Sequence, residues 1–160
     1  MPNVPMTKGG LERIKDELKR LKTVERGRIV KEIEAARAHG DISENAEYHA
    51  AKERQGQIEA RIRQLDDMIA RAEVIDVSKL KGEKVMFGAT VELSDSETEN
   101  KVTYRIVGEV EADAKKGLIS ITSPIARALV GKSIGEEVTV QAPGGPRDYE
   151  ILAVKFIEES

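Results

Sequence analysis

A short acidic segment has the residue types and the spacing that could bind a divalent metal ion. Asp41 and Glu44 stand three positions apart, and Glu47 adds a third carboxylate three positions later. Carboxylate oxygens are the ligands that a hard cation such as Mg²⁺ prefers. The spacing also has a structural alternative, because Asp at a helix start with Glu three positions on resembles a capping box. The two interpretations are compatible, since a cap also fixes the geometry of its loop.

The acidic segment lies between two stretches of helical periodicity, each about thirty residues long. Apolar residues recur at helical spacings before it (Leu11, Ile14, Leu18, Leu21, Ile29, Ile33, Ala36) and after it (Ala51, Ile58, Ile62, Leu65, Ile69, Ala72). Two such helices joined by a few residues fold back antiparallel, which places the segment at the tip of a hairpin. At ~1.5 Å per residue the hairpin extends roughly 45 Å. A hairpin that long exposes more surface than it buries, which favours a role in carrying Asp41 and Glu44 to a distant place.

The ends of the two helices have their own signals. Thr7 is a plausible N-cap for the first helix, which we expect to run toward Ala38. Gly27 interrupts this helix at a cost of ~1 kcal/mol, so we expect a bend or close packing there. The second helix is predicted to run from about Glu44 to Glu73.

The pattern changes to that of strands in the second half of the chain. Six strands are predicted, at 84–87, 90–93, 102–107, 118–121, 137–141 and 149–156. One short helix interrupts them, with Ser123 as its N-cap, Pro124 at its first position and Gly131 after its end. We therefore predict an α+β protein with a helical hairpin over residues 1–77 and a small antiparallel β-domain with one short helix over residues 78–160.

Composition limits the function classes. The 160 residues include 26 basic and 29 acidic side chains, with 16 basic and 15 acidic ones in residues 1–80. Neither half has the strong basic excess of a protein that grips duplex DNA. The absence of Cys excludes disulfides and thiolate metal sites. The first residues lack the features of a signal peptide and no apolar run reaches membrane length, so we expect a soluble, cytoplasmic protein.

Three cations flank the acidic segment. Arg37, Lys52 and Arg54 could be ordinary solvated charges that pair along the helices. They could also hold a nucleic-acid phosphate beside a metal ion. The residue types alone leave both interpretations open.

His39, Tyr48 and His49 lie next to these charges. Two histidines ten positions apart, with no further His or Cys, do not complete a transition-metal site, so we interpret them as a helix-terminal and an exposed helical residue. Tyr48 could pack against the opposing helix or stack on a base. Its type does not decide between the two.

The acidic segment and its surroundings resemble the Gre family of bacterial transcript cleavage factors. The resemblance is carried by the run Gly40-Asp41-Ile42-Ser43-Glu44-Asn45-Ala46-Glu47-Tyr48-His49-Ala50-Ala51-Lys52 and by the blocks 5–7, 87–91, 104–108, 118–120 and 123–127. These blocks occur in the same order and span nearly the whole chain. The resemblance implies a coiled-coil hairpin followed by an FKBP-like domain that binds RNA polymerase.

The resemblance also implies roles for individual residues. Members of the family pass the hairpin down the secondary channel of the polymerase, where the acidic residues matching Asp41 and Glu44 help to hold a second Mg²⁺ on a backtracked nascent RNA. Arg37 and Lys52 are the expected RNA contacts. The chain is then an accessory factor and not an enzyme, without a cofactor of its own, and acts as a monomer.

The resemblance places part of the polymerase contact at the start of the short helix. The expected contact residues are Ser123, Pro124 and Ile125. A hypothesis from a different class is a chaperone-like or isomerase-like module whose hairpin clamps unfolded clients. A clamp requires an apolar tip, and the tip of this chain is acidic, which favours the polymerase-bound factor.

Overall fold

The computed structural model of the chain describes residues 3–40 and 45–157. It is an α+β structure with two compact units. One unit is helical and spans Glu12–Arg71; the other combines the residues up to Leu11 with those from Ala72 onward. The N-terminal residues, which we expected to belong to the hairpin alone, therefore pack with the β-rich second half.

A two-stranded parallel sheet explains this grouping. Strand β1 (Val4–Thr7) pairs with β2 (Ala72–Ile75), so that the chain segments before and after the helices run side by side. Met6 of β1 is fully buried. No strand was predicted at either place, because four-residue segments carry little periodicity and their pairing joins residues far apart in the chain.

Thr7 and Glu111 connect β1 to the second half of the chain. The Glu111 carboxylate accepts hydrogen bonds from the Thr7 backbone N–H at 3.0 Å, from the Thr7 hydroxyl, and from the Gly108 backbone N–H at 2.9 Å. The Thr7 hydroxyl in turn accepts from the Gly10 N–H at 3.1 Å, which confirms Thr7 as the N-cap of the first helix. We call this set of four residues the Thr7–Glu111 junction.

The first helical stretch consists of α1 (Lys8–Arg20), a π-helical turn (Leu21–Glu25) and α2 (Arg26–Arg37). The apolar residues explain the π-helical turn, because the step from Leu21 to Ile29 is eight residues, one more than a heptad. A π-turn accommodates one extra residue and restores the phase of the buried face. The irregularity thus lies just before Gly27, where an added side chain would meet nothing within 4 Å.

Helix α3 (Ala46–Ala70) packs against α2 within the helical unit. Ile29, Ile33 and Ala51 form a buried cluster between the two helices. Farther from the turn, Arg26 donates to both carboxylate oxygens of Glu59 at 2.8 and 2.9 Å, and this contact lowers the pKa of the Glu59 carboxyl. A buried apolar seam with ion pairs along its edge holds the two helices side by side.

Five strands form the sheet of the second half, in the spatial order β5-β4-β3-β7-β6. Their bounds are β3 (Thr90–Asp95), β4 (Lys101–Val107), β5 (Leu118–Ser120), β6 (Glu137–Ala142) and β7 (Gly145–Lys155). The prediction of an antiparallel domain is wrong for β4 and β5, which pair in parallel. The connection between them contains the short 3-10 turns Glu109–Glu111 and Ala114–Lys116, which allow the chain to return in the same direction.

The predicted strand over residues 84–87 is not formed. Lys84 makes one isolated bridge with Ser133, and Val85 exchanges backbone hydrogen bonds with the segment after the short helix. This apolar segment contributes a single buried side chain, Val85, to the core. Its apolar residues predicted a strand, but apart from the Lys84 bridge its backbone has no strand partner among the described residues.

The short helix α4 (Pro124–Leu129) covers the core of the second half. Ser123 is its N-cap, accepting from the Ala126 N–H at 3.2 Å, and Pro124 takes the first helical position, as predicted. Ala126 and Leu129 are fully buried with Ile106 and Ile151 of the sheet. In the part of the chain that the structure describes, no helix has the length and apolar character needed to cross a membrane.

Candidate functional site at the turn between α2 and α3

The turn between α2 and α3 is the candidate site. Helix α2 ends at Arg37, and Gly40 has a φ of 120°, in the region that favours glycine. Asp41 and Glu44, the predicted metal-binding and catalytic residues, lie outside the described residues. The structure describes the residues that flank them in the sequence: Gly40 after α2 and Asn45 before α3.

Asn45 occupies the position directly after Glu44. Its side-chain oxygen accepts from the Tyr48 N–H at 3.1 Å, which makes Asn45 the N-cap of α3. Asn45, and not Asp41, is therefore the N-cap of α3. The capping-box interpretation of Asp41 and Glu44 falls on residues outside the described ones and stays a prediction. Sequence reasoning missed Asn45, although Asn directly before a helical stretch is a recognised cap signal.

The same amide reaches the opposite helix. The Asn45 Nδ2 group donates to the Ala36 carbonyl oxygen at 2.5 Å. Ala36 is 4% exposed and lies in the last turn of α2, where carbonyl groups lack the usual helical partner four residues on; its oxygen also accepts from the His39 N–H at 3.2 Å. One side chain thus caps α3 and adds a hydrogen bond to a carbonyl of α2.

Tyr48 packs on the helices. Its ring contacts the buried cluster of Ile29, Ile33 and Ala51, and the Arg37 guanidinium carbon lies 5.7 Å from the ring centroid. That distance is within the range of a cation–π contact. Of the two interpretations left open for Tyr48, the structure shows packing against the opposing helix. Arg37 lies over the same ring.

The three cations near the turn divide into two groups. Arg54 pairs with Glu32 of α2 at 2.5 Å, so its charge is already matched. Arg37 and Lys52 are exposed, and no carboxylate within the described residues pairs with either; Lys52 donates to the Gln55 side-chain oxygen at 3.2 Å. Of the three, Arg37 and Lys52 are thus the ones without a carboxylate partner among the described residues.

The described residues contain no ready-made metal site. Over 3–40 and 45–157, no group of three or more His, Asp or Glu side chains lies close enough to hold a metal ion. His39 and His49 are both exposed. The centroids of the His49 and Tyr48 rings lie 5.6 Å apart, in an edge-on arrangement.

The predicted polymerase-contact residues lie at the start of α4. Pro124 is exposed, whereas Ser123 and Ile125 are half-buried. Ser123 is engaged as the helix cap, and Ile125 packs on the core. Pro124 therefore offers the most accessible side chain of the three.

Both halves of the chain match domains of known proteins. Residues 4–74 match the family described as "Transcription elongation factor, N-terminal", and residues 80–156 match the family described as "Transcription elongation factor, GreA/GreB, C-term".

Individual relatives match over nearly their full lengths. The chain is 66% identical over 159 residues to the transcription elongation factor GreA of Anaeromyxobacter sp. (strain K), covering 99% of this chain and 96% of that protein. It is 58% identical to the GreA of Caulobacter sp. (strain K31), covering 98% and 100%. Among solved structures, it is similar to GreA factor homolog 1 of Thermus thermophilus, with 28% identity, 96% and 99% coverage and a TM-score of 0.43.

Proposed function

This chain belongs to the GreA/GreB family of transcription elongation factors, and from that premise we propose how it acts. It binds RNA polymerase, enters the secondary channel with its helical hairpin and stimulates the cleavage of backtracked RNA by the polymerase. The observation that carries this proposal is the placement of the acidic segment. Its residues Asp41 and Glu44 stand in the sequence after the end of α2 and before the start of α3, two helices that pack against each other.

Asp41 and Glu44 are the groups that we assign to cleavage. Their carboxylates suit Mg²⁺, and since Asn45 caps α3, neither is needed as the cap of that helix. Two carboxylates are too few to hold Mg²⁺ tightly, so they fit an ion that is shared with acidic ligands and phosphates of the polymerase complex. Bound there, the ion would supply an activated water and stabilise charge on the phosphate. The chain then acts as an accessory factor and has no cofactor of its own.

Arg37 and Lys52 are the groups that we assign to the nascent RNA. Both are exposed and lie beside the turn, one on each helix. The packing of Arg37 over Tyr48 limits the freedom of its side chain and lowers the entropy cost of binding a phosphate. The two charges would hold the RNA backbone near the acidic segment.

The polymerase contact that we propose lies at Ser123, Pro124 and Ile125. We also propose that the half of the chain that contains these residues is an FKBP-like domain. In this arrangement the second half anchors the factor, as a monomer in the cytoplasm, and the hairpin brings Asp41 and Glu44 to the site where the polymerase cleaves the RNA. Displacement of labelled unmodified chain from core polymerase by Pro124→Asp protein tests the contact. We expect the variant to compete at least about tenfold less well, since a charge would be buried at a docked surface.

Cleavage by a stalled elongation complex, with and without the purified chain, tests the function as a whole. We expect no cleavage of free RNA by the chain alone in millimolar Mg²⁺, because two carboxylates without the ligands of the polymerase lack the preorganised surroundings that catalysis needs. We expect clear cleavage of backtracked RNA when the chain joins the polymerase complex. Cleavage of free RNA that disappears in Asp41→Asn would instead make the chain a nuclease. No effect on the complex, together with binding to unfolded proteins, would favour the clamp.

Replacing both Arg37 and Lys52 by Ala should weaken crosslinking of the hairpin to backtracked RNA. It should also reduce the slope of the logarithm of the affinity for RNA against the logarithm of the salt concentration. The reduction should be roughly 0.7 for each RNA phosphate that the variant no longer neutralises. Lys31→Ala, an exposed cation of α2 farther from the turn, is the matched control and should leave the slope unchanged. Equal slopes for the double variant and the control would show that Arg37 and Lys52 are ordinary surface charges.

A further inference from the structure

We propose that Asn45 is a positioning residue for RNA cleavage. Its side-chain amide links the end of α2 to the start of α3, the two helix ends that residues 41–44 connect in the sequence. The inference rests on the proposed function, in which Asp41 and Glu44 are the groups that assist the polymerase. Asn45 itself contacts neither metal nor RNA in this proposal. It acts through the backbone that carries the two carboxylates.

The two hydrogen bonds of Asn45 require an amide. Its oxygen accepts from the Tyr48 N–H at 3.1 Å while its nitrogen donates to the Ala36 oxygen at 2.5 Å. Asp could make the first bond but has no donor for the second, and the single oxygen of Ser cannot reach both partners. A residue that served only as a helix cap could be Asp, Ser or Thr. The second bond is therefore the feature that capping leaves unexplained.

Both partners of Asn45 are held firmly by the helices behind them. Ala36 is buried in the last turn of α2, and its oxygen also accepts from the His39 N–H at 3.2 Å. The Tyr48 ring packs on the apolar cluster between α2 and α3. The amide therefore joins two fixed points, so the backbone of Asn45 has a set position relative to the end of α2.

No other described hydrogen bond or ion pair between the two helices lies so close to the acidic segment; the next one along the pair joins Glu32 and Arg54. Without the link, the end of α2 and the start of α3 could separate while the rest of the seam stayed closed. Catalysis is sensitive to displacements of about 1 Å in the groups that take part. A small separation of the ends would thus impair cleavage without unfolding the hairpin.

Asn45→Ser separates the two roles of the side chain. Serine is a good N-cap and keeps the bond to the Tyr48 N–H, but it lacks the bond to Ala36. Asn45→Ala removes both bonds, and Ile62→Val is a control that loosens the buried seam of α3 away from the turn. Cleavage of backtracked RNA is measured over a range of factor concentrations and of Mg²⁺ concentrations. Hydrogen exchange of the Tyr48 amide reports whether the cap persists.

We expect Asn45→Ser to lower the maximal cleavage rate at saturating factor at least about tenfold. The factor concentration for half-maximal effect should stay within about twofold of that of the unmodified chain. The Tyr48 amide should stay protected. Raising Mg²⁺ should recover part of the rate, because misplaced carboxylates bind the ion more weakly. Ile62→Val should cleave normally. A normal rate for Asn45→Ser, or a loss no larger than that of Ile62→Val, would overturn the positioning role.

The Asp41→Asn and Glu44→Gln variants distinguish a failure of this inference from a failure of the proposed function. If both variants lose cleavage and Asn45→Ser does not, only the positioning role is wrong. If both variants keep full cleavage, the role of the carboxylates is wrong, and the positioning role that depends on it is wrong as well.

Discussion

Asp41→Asn and Glu44→Gln should each lower the stimulated cleavage of backtracked RNA on the order of 100-fold, a typical loss when one preorganised electrostatic interaction is removed. Each substitution nearly preserves the shape of the side chain and removes the charge that attracts Mg²⁺. Binding to core polymerase should stay near normal, because the contact that we propose lies in the other half of the chain. Cleavage rates at saturating factor and competition for polymerase measure the two effects separately.

Glu47→Gln is the matched control for these variants. Glu47 is an exposed carboxylate in the first turn of α3, only three positions beyond Glu44. We expect it to retain most of the activity, since the effect should depend on specific ligands and not on the total charge near the turn. An equal loss in all three variants would show that general negative potential is responsible. Full activity of the Asp41 and Glu44 variants would contradict the metal role.

The elements that the sequence predicted well are those with local signals. The helical stretches follow from apolar residues at spacings of three and four. Helix α4 follows from Ser123 and Pro124 at its start, where capping and a fixed φ act within one turn. Thr7 was identified as a cap for the same reason.

The elements that the sequence did not predict depend on distant partners. Strands β1 and β2 are short, and each is stabilised by pairing with the other, although the whole helical unit separates them in the sequence. The parallel pairing of β4 and β5 depends on how the connection between them folds, which no spacing within the strands reveals. The π-helical turn at Leu21–Glu25 was visible only as a step of eight residues between apolar positions.

The same difference between local signals and distant contacts holds for the residues around the acidic segment. The types and spacing of Asp41 and Glu44 indicated metal chemistry, but the choice of Asn45 as the cap required the observed start of α3. Arg54 could not be separated from Arg37 and Lys52 by type, because its pairing depends on Glu32 lying opposite on α2. Contacts across the helix pair decide these roles, and a single helix carries no signal of them.

Gly108→Ala should lower the free energy of unfolding by about 2–3 kcal/mol. The backbone of Gly108, at φ −69° and ψ 156°, is one that Ala adopts readily, so no backbone strain arises from the change. An added Cβ would instead lie far inside van der Waals contact with the Pro5 carbonyl oxygen. Pro5 is held in β1 by its pairing with β2, and the Gly108 N–H is bound to Glu111, so relief of the clash requires the Thr7–Glu111 junction to open.

The same substitution at Gly27 provides a control of opposite sign. Gly27 lies inside α2, and a Cβ there would meet nothing within 4 Å, so Ala should stabilise the chain by about 1 kcal/mol through its helix propensity. Urea unfolding followed by circular dichroism measures both variants against the unmodified chain, and amide exchange at Thr7 reports directly on the junction. An unchanged free energy of unfolding for Gly108→Ala, with the Thr7 amide still protected, would show that β1 can shift at little cost and that relief of the clash does not require the junction to open.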